Sequence, residues 1–140
     1  MSTFHDFKIS KYLLNALEDL EIITPTPIQE ESYSVIKSGR NVIGIAQTGT
    51  GKTLAFSLPF LDGLKYSEQK NPRVLILVPT RELVLQVVQN IKDYSKYMST
   101  RVVGVYGGTN INTQKLAVGE GVDVLVATPG RLYDMVMHRA

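Results

Sequence analysis

Residues 46–53, with the sequence AQTGTGKT, constrain this chain more than any other stretch. They follow an apolar run at 42–45 that predicts a buried strand. They precede a segment at 54–64 whose apolar residues recur at helical spacing, with a kink or an early end expected at Pro59. A strand, a glycine-rich turn and a helix form a phosphate cradle, because successive backbone N–H groups and the helix N-terminus point at one anion. The sequence therefore predicts a P-loop.

The chemistry of a P-loop assigns separate roles to the last residues of this segment. Lys52 would reach the β- and γ-phosphates of a nucleotide, and the Thr53 hydroxyl would ligate Mg²⁺. The general pattern has glycine where this chain has Ala46, and the alternative is a glycine-rich turn without a ligand. The predicted flanking strand and helix favour the P-loop. Its residues are Ala46, Gln47, Thr48, Gly49, Thr50, Gly51, Lys52 and Thr53.

Composition narrows the class of protein. The chain has 140 residues, of which 44% are hydrophobic, and this suffices for the core of one domain. The absence of cysteine excludes disulfide, zinc-thiolate and thiol-nucleophile chemistry. No stretch approaches the roughly 20 apolar residues of a membrane span, and the polar residues after Met1 do not resemble a secretory signal. We expect a soluble, intracellular, cytoplasmic protein without membrane partners.

The segment around Gln29 has two compatible interpretations. Thr26 as N-cap, Pro27 at the first helical position and Gln29 three residues after the cap form a capping box. A glutamine amide can also pair with the N6 and N7 edge of adenine. Sequence spacing leaves both interpretations open. Phe4 precedes a helix predicted to begin after Ser10, and by itself it favours a hydrophobic contact with that helix.

Further apolar runs at 74–78, 102–106 and 122–127 alternate with helical patterns. This alternation predicts an α/β fold with a parallel sheet flanked by helices, in which ligands bind at the carboxyl ends of the strands. These ends carry the groups Pro79, Thr80, Arg81 and Glu82; Gly107 and Gly108; and Thr128, Pro129, Gly130 and Arg131.

Arg81 and Arg131 each lie in the first turn of a predicted helix. The helix dipole disfavours a cation there by about 0.3–1 kcal/mol. A bound anion at each helix N-terminus would remove that cost. The alternative is a nearby carboxylate, either Glu82 beside Arg81 or a tertiary carboxylate beside either arginine. Because both sites fall on one sheet edge, the pair favours an extended anion such as a nucleic-acid backbone. A net charge of +2 gives no such indication by itself.

These motifs, in this order, resemble the first motifs of the DEAD-box ATP-dependent RNA helicases, in which alanine is usual at the position of Ala46. The resemblance covers nearly the whole chain. It implies that residues 1–140 are the amino-terminal part of a RecA-like P-loop NTPase domain, with a Q-motif region at 4–29 and the P-loop at 46–53. It also implies ATP and Mg²⁺ as cofactors, and RNA, single-stranded or in short duplexes, bound through its backbone without sequence preference.

The resemblance also implies residue roles. Gln29 would read adenine, with Phe4 as the upstream aromatic residue and Thr26 beside it. Residues 47–53 would hold the phosphates and Mg²⁺, and the groups at the strand ends would line the RNA track. Glu21 stands where the family usually has glycine, so we expect the turn before Ile22 to differ; Ile22 lacks the aromatic ring that many members have there.

Hydrolysis needs a carboxylate at a neighbouring strand end. None of the predicted strand ends supplies one, and Asp123 lies at the beginning of its strand. The resemblance places the Asp-Glu-Ala-Asp and Ser-Ala-Thr motifs and a second RecA-like domain after residue 140. In the family, the strands bearing those motifs separate the P-loop strand from the others. We therefore expect a gap in the sheet, so that residues 1–140 alone are poorly stable or must be completed by another segment. We also expect no helicase or appreciable ATPase activity from them.

The leading hypothesis is part of a DEAD-box helicase that separates short RNA duplexes or remodels ribonucleoproteins. A non-catalytic module that binds ATP or RNA is the first alternative. The second is an unrelated P-loop kinase, in which Arg81 and Arg131 would bind substrate phosphates.

Overall fold

The computed structural model describes residues 2–47, 49 and 51–140. The chain divides into two compact units. The first contains the residues up to Lys65 together with Asp93–Ser99, and the second contains Tyr66–Lys92 together with Thr100–Ala140. Within the described residues, we find no helix that combines the length and the apolar character of a membrane span.

The first unit is helical. A 3₁₀ helix at Phe4–Phe7 precedes α1 (Lys11–Asp19), α2 (Pro27–Lys37) and α3 (Lys52–Gly63). Ser10 and Thr26 are the N-cap residues of α1 and α2, as predicted. Of the kink or early end predicted at Pro59, the early end does not occur, because α3 continues through this residue. Packing of the buried Leu58 and Leu61 offsets the backbone hydrogen bond that proline removes.

The predicted strand at residues 42–45 was also wrong. These residues adopt no regular secondary structure, and Ile43 and Ile45 are each 91% exposed. A strand needs a neighbour to hydrogen-bond its backbone, and none of the described strands pairs with this segment. Apolar sequence indicated the tendency to form a strand but not the partner.

The second unit contains the predicted parallel sheet. Its strands are β1 (Val74–Leu77), β2 (Val102–Val105) and β3 (Val124–Ala127), and they lie in the order β1-β3-β2. Both pairings are parallel. The connecting helices are α4 (Arg81–Tyr94) and α5 (Ile111–Gly119), and α6 (Pro129–Met137) follows β3. The α/β fold with a parallel sheet is thus confirmed.

Helices cover both faces of the sheet. On one face α4 packs so closely on β2 that a Cβ at Gly104 would lie 2.7 Å from the side chain of Val84. The opposite face forms a buried cluster with α5 and α6, whose members are Val105, Val118, Val122, Leu125, Ala127 and Met135. All four side chains of the central strand β3 are buried, as its continuous apolar run predicts. In the edge strand β1, Leu75 and Leu77 are 50% and 52% exposed, although the run is equally apolar.

The strand register aligns the carboxyl ends. Leu77 of β1 and Val105 of β2 both pair with Ala127 of β3. The segments that follow these residues therefore leave the sheet at the same edge. This edge carries all the predicted RNA-track residues.

Candidate functional site

The P-loop region ends in the first turn of α3. Gly51 is the N-cap residue, with a φ of 85° in the left-handed region, and its carbonyl accepts the first helical hydrogen bond from Ala55 N at 3.0 Å. Lys52, the first helical residue, is exposed, and Thr53 is half-buried. A helix N-terminus with an exposed lysine can hold phosphate. Thr48 and Thr50 lie outside the described residues.

Gln29 joins the capping box to this loop. Its Oε1 accepts a hydrogen bond from the backbone N–H of Thr26 at 2.9 Å, which confirms the predicted cap. Its Nε2 donates to the carbonyl oxygen of Gly51 at 3.1 Å. The side chain is buried, and both ends of its amide have partners within the first unit.

Phe4 is buried in the first unit. Its ring packs edge-on to Phe7, with the ring centroids 5.3 Å apart. Its backbone N–H donates to the carbonyl of Ile23 at 3.3 Å. It lines a cavity of about 270 Å³ with Leu14 and Leu17 of α1. Phe4 and α1 therefore border one apolar space, and the bond to Ile23 brings Phe4 to the segment that leads to Gln29.

The turn after α1 keeps the form that glycine favours, so the expectation of a different turn was wrong. Glu21 has a φ of 60°. Its N–H donates to the carbonyl of Glu18 at 2.9 Å, and the N–H of Ile22 donates to that of Leu17 at 2.8 Å. These two bonds form a Schellman motif. The motif imposes the left-handed conformation even on glutamate.

At the sheet edge, Thr80 and Arg81 begin α4. The Thr80 hydroxyl accepts a hydrogen bond from the N–H of Leu83 at 3.2 Å and so caps the helix. The Arg81 guanidinium lies over the ring of Tyr106, 5.1 Å from its centroid. This cation–π contact gives Arg81 a partner within the second unit. The neighbouring Pro79 and Glu82 are exposed.

Residues after β2 and β3 complete the edge. Gly107, Gly108, Pro129 and Gly130 are exposed. Thr128 is the N-cap residue of α6, and its N–H donates to the carbonyl of Val105 at 3.1 Å. Small or proline side chains here let another backbone approach closely, and the start of α6 favours an anion.

Arg131 points into the protein instead of out to solvent. Its side chain is only 10% exposed. Its Nη1 donates to Oε1 of Gln114 at 2.8 Å, and its Nη2 donates to the carbonyl of Thr109 at 3.2 Å. Asp134 lies 3.7 Å from its Nε. Of these contacts, the Asp134 carboxylate fits the alternative to a bound anion, in which a carboxylate offsets the helix dipole.

Sequence reasoning missed Gln114. It lies in the middle of α5, is buried, and contacts Arg131, Thr109 and Tyr106. No motif or spacing singles it out, since its importance comes from hydrogen bonds between separate elements. The one available signal was a long polar residue on the side of a short helix that also carries Val118.

Comparison with known proteins decides the family. The sequence pattern of the DEAD/DEAH box helicases matches residues 26–140. The chain belongs to this family. It is 46% identical over 134 residues to the ATP-dependent RNA helicase DeaD of Escherichia coli K12, covering 95% of this chain and 21% of that protein. It is 45% identical over 132 residues to the probable ATP-dependent RNA helicase DDX46 of Homo sapiens, covering 91% of this chain and 13% of that protein.

Solved structures of the family have the same fold. A hypothetical ATP-dependent RNA helicase from Sulfolobus tokodaii matches with a TM-score of 0.84 and 34% identity, over 94% of this chain and 37% of that one. The RNA helicase Prp28 from Chaetomium thermophilum, bound to ADP, matches with a TM-score of 0.89 and 35% identity. The match covers 99% of this chain and 35% of that one. The fold is therefore that of the family's RecA-like domain, and the chain spans about a fifth of the length of its E. coli relative.

Proposed function

We propose that the native protein carrying this chain is a cytoplasmic DEAD-box RNA helicase that uses ATP and Mg²⁺ to separate short RNA duplexes or remodel ribonucleoproteins. The observation that carries this proposal is the hydrogen bond between Gln29 and Gly51, because it joins an adenine-type recognition residue to a phosphate-binding loop. The relatives named as ATP-dependent RNA helicases support it.

The first unit would supply half of the ATP site. Lys52 would neutralise the β- and γ-phosphates, and Thr53 would ligate Mg²⁺. The amide of Gln29 would form hydrogen bonds with the N6 and N7 edge of adenine in place of part of its present ones. Phe4 and Thr26 would keep Gln29 in place. The phosphate cradle proper would comprise Ala46, Gln47, Thr48, Gly49, Thr50 and Gly51.

The second unit would supply part of the RNA track. The N-termini of α4 and α6 and the exposed glycines between β2 and α5 lie at one sheet edge, as a sugar-phosphate backbone requires. Contacts to the backbone position a strand without reading its sequence. Binding of single-stranded RNA should thus depend little on base composition. The carboxylates that complete hydrolysis and the second RecA-like domain would belong to other parts of the native protein.

The test is RNA-stimulated ATP hydrolysis and strand separation by the native protein. Lys52→Ala should abolish both, whereas Lys65→Ala, which removes another exposed lysine of the first unit, should leave both intact. ATP binding without turnover at any RNA concentration would instead favour the non-catalytic module. Phosphate transfer to a small acceptor, unaffected by RNA, would favour the kinase.

A further inference from the structure

Gln114 satisfies its whole hydrogen-bonding capacity with residues of the sheet edge. Its Oε1 accepts from the backbone N–H of Tyr106 at 3.3 Å and from Nη1 of Arg131 at 2.8 Å. Its Nε2 donates to the carbonyl of Tyr106 at 3.1 Å and to the hydroxyl of Thr109 at 2.8 Å. An amide has two acceptor sites and two donor hydrogens, so all four are used.

These bonds connect three separate parts of the second unit. Tyr106 and Thr109 bracket the Gly107–Gly108 turn after β2, while Gln114 is in α5 and Arg131 is in the first turn of α6. Arg131 closes the ring, because its Nη2 donates to the carbonyl of Thr109. The glycines supply no side chains to hold the turn in place. Its position therefore depends on the bonds that Gln114 and Arg131 make to either side of it.

The connection extends to the start of α4. Gln114 hydrogen-bonds both the backbone N–H and the carbonyl of Tyr106. The Arg81 guanidinium lies over the ring of the same tyrosine, 5.1 Å from the ring centroid. Gln114 thus reaches, directly or through one neighbour, the segments that follow all three strands. It is 8% exposed and itself presents little surface to a ligand.

We propose that Gln114 and Arg131 are positioning residues for RNA: together they fix the spacing between the Gly107–Gly108 turn and the N-terminus of α6, so that both can contact one sugar-phosphate backbone. This inference rests on the proposed RNA track. It assigns Arg131 a different role from that of a phosphate ligand. The guanidinium holds the turn, and the exposed backbone of the turn and of the helix start meets the RNA.

The first experiment uses Gln114→Glu in the native protein. The carboxylate keeps the size of the side chain and the acceptors for Arg131 and Tyr106 N–H, but it cannot donate to Thr109 or to the Tyr106 carbonyl. We expect the Kd for a fluorescent single-stranded RNA to rise about tenfold, the scale of losing buried hydrogen bonds, with ATP affinity in the absence of RNA unchanged. Gln86→Glu is the matched control, because it adds the same charge at an exposed position of the second unit.

Salt separates positioning from charge repulsion. If the added charge alone weakened binding, the difference from the native protein would fade as salt screens it. We expect the difference to persist at high salt. Native-like binding by Gln114→Glu, or a loss that Gln86→Glu reproduces, would overturn the proposal.

The second experiment is a double-mutant cycle with Gln114→Ala and Arg131→Ala. If the two side chains position the turn only as a hydrogen-bonded pair, the double variant should bind RNA within about twofold of the weaker single variant. Losses of affinity that multiply in the double variant would contradict this. A second contradicting result would be a slope of log Kd against log salt that falls by about 0.7 in Arg131→Ala, because that is the change expected when one direct phosphate contact to a single strand is removed. A native protein without affinity for RNA would refute the proposed function itself. If the native protein binds RNA and the variants bind it equally well, only the positioning role of Gln114 and Arg131 is refuted.

Discussion

The side-chain amide of Gln29 donates a hydrogen bond to the carbonyl oxygen of Gly51, 3.1 Å away. Gln29 lies in the first turn of α2, and Gly51 is the residue from which α3 begins. A hydrogen bond thus joins the side chain that would read adenine to the loop that would hold the phosphates. A substitution at either residue should therefore change the position of the other.

Gly51→Ala should weaken both nucleotide binding and folding stability. The residue has a φ of 85°, and an added Cβ would lie 2.3 Å from Nε2 of Gln29. The methyl group would both strain the backbone and displace the glutamine. We expect the Kd for ATP to rise at least tenfold and the free energy of unfolding to fall by about 2 kcal/mol. Nucleotide titration and chemical denaturation of the native protein measure the two effects.

Gly49→Ala is the control for that experiment. Gly49 has a φ of 84°, nearly the same as Gly51, but nothing lies within 4 Å of the position its Cβ would take. It shares the backbone strain without the contact with Gln29. Equal losses of stability in both variants would show that the displaced glutamine contributes nothing.

Gln29→Glu separates the cap from the link to the loop. A glutamate can still accept the hydrogen bond from Thr26 N–H, but its carboxylate cannot donate to the Gly51 carbonyl. We expect the bond to Thr26 N–H to persist, but the buried carboxylate would face the Gly51 carbonyl oxygen without a counter-charge. The free energy of unfolding should therefore fall at least as much as in Gln29→Ala, which loses both contacts without burying a charge. The proposed reading of adenine by Gln29 predicts that the native protein prefers ATP to GTP and that both variants lose this preference, as measured by competition binding. If Gln29→Glu retained that preference, the donor end of the amide would have no part in base recognition.

Asp123→Asn should destabilise the second unit. Asp123 is 2% exposed and precedes β3; its carboxylate accepts hydrogen bonds from Arg73 at 2.8 Å and from Arg101 at 2.9 Å. Burial opposes its ionisation, but the bonds from Arg101 and Arg73 outweigh it and lower the pKa to about 2. Asparagine keeps one acceptor oxygen, but it leaves two arginines without their buried counter-charge. We expect a loss of about 3 kcal/mol in chemical denaturation at neutral pH.

The pH dependence of stability provides a second measure of Asp123. Since its folded-state pKa lies below that of an unfolded aspartate, near 3.9, its contribution is complete at neutral pH and is lost as the pH falls from about 4 through 2. The stability difference between the native protein and Asp123→Asn should narrow across that range. Glu120→Gln, which removes an exposed carboxylate of the same unit, should not reproduce this behaviour. A difference independent of pH would rule out the ion pair as its source.

The sequence predicted the strands of the second unit to within two residues, because each strand lies within an apolar run, even in β1, where alternate side chains are exposed. It predicted the caps at Ser10 and Thr26 for a similar reason, since capping depends on neighbours in the chain. It failed at residues 42–45, where forming a strand depends on a distant partner. It also missed Gln114 and the inward hydrogen bonds of Arg131, because hydrogen bonds that join separate elements leave no periodic pattern.

Glu21→Gly should stabilise the protein. Glu21 holds a φ of 60° in the Schellman motif that ends α1, a conformation that costs a residue with a side chain about 1–2 kcal/mol and costs glycine almost nothing. Part of this gain is cancelled, because glycine also makes the unfolded chain more flexible. A net increase of about 0.5–1 kcal/mol in the free energy of unfolding is expected from chemical denaturation. Glu18→Gly, within α1, is the opposite control: there glycine should lower stability by about 1 kcal/mol. If both variants were destabilised alike, the left-handed turn would not carry the strain that its backbone angle implies.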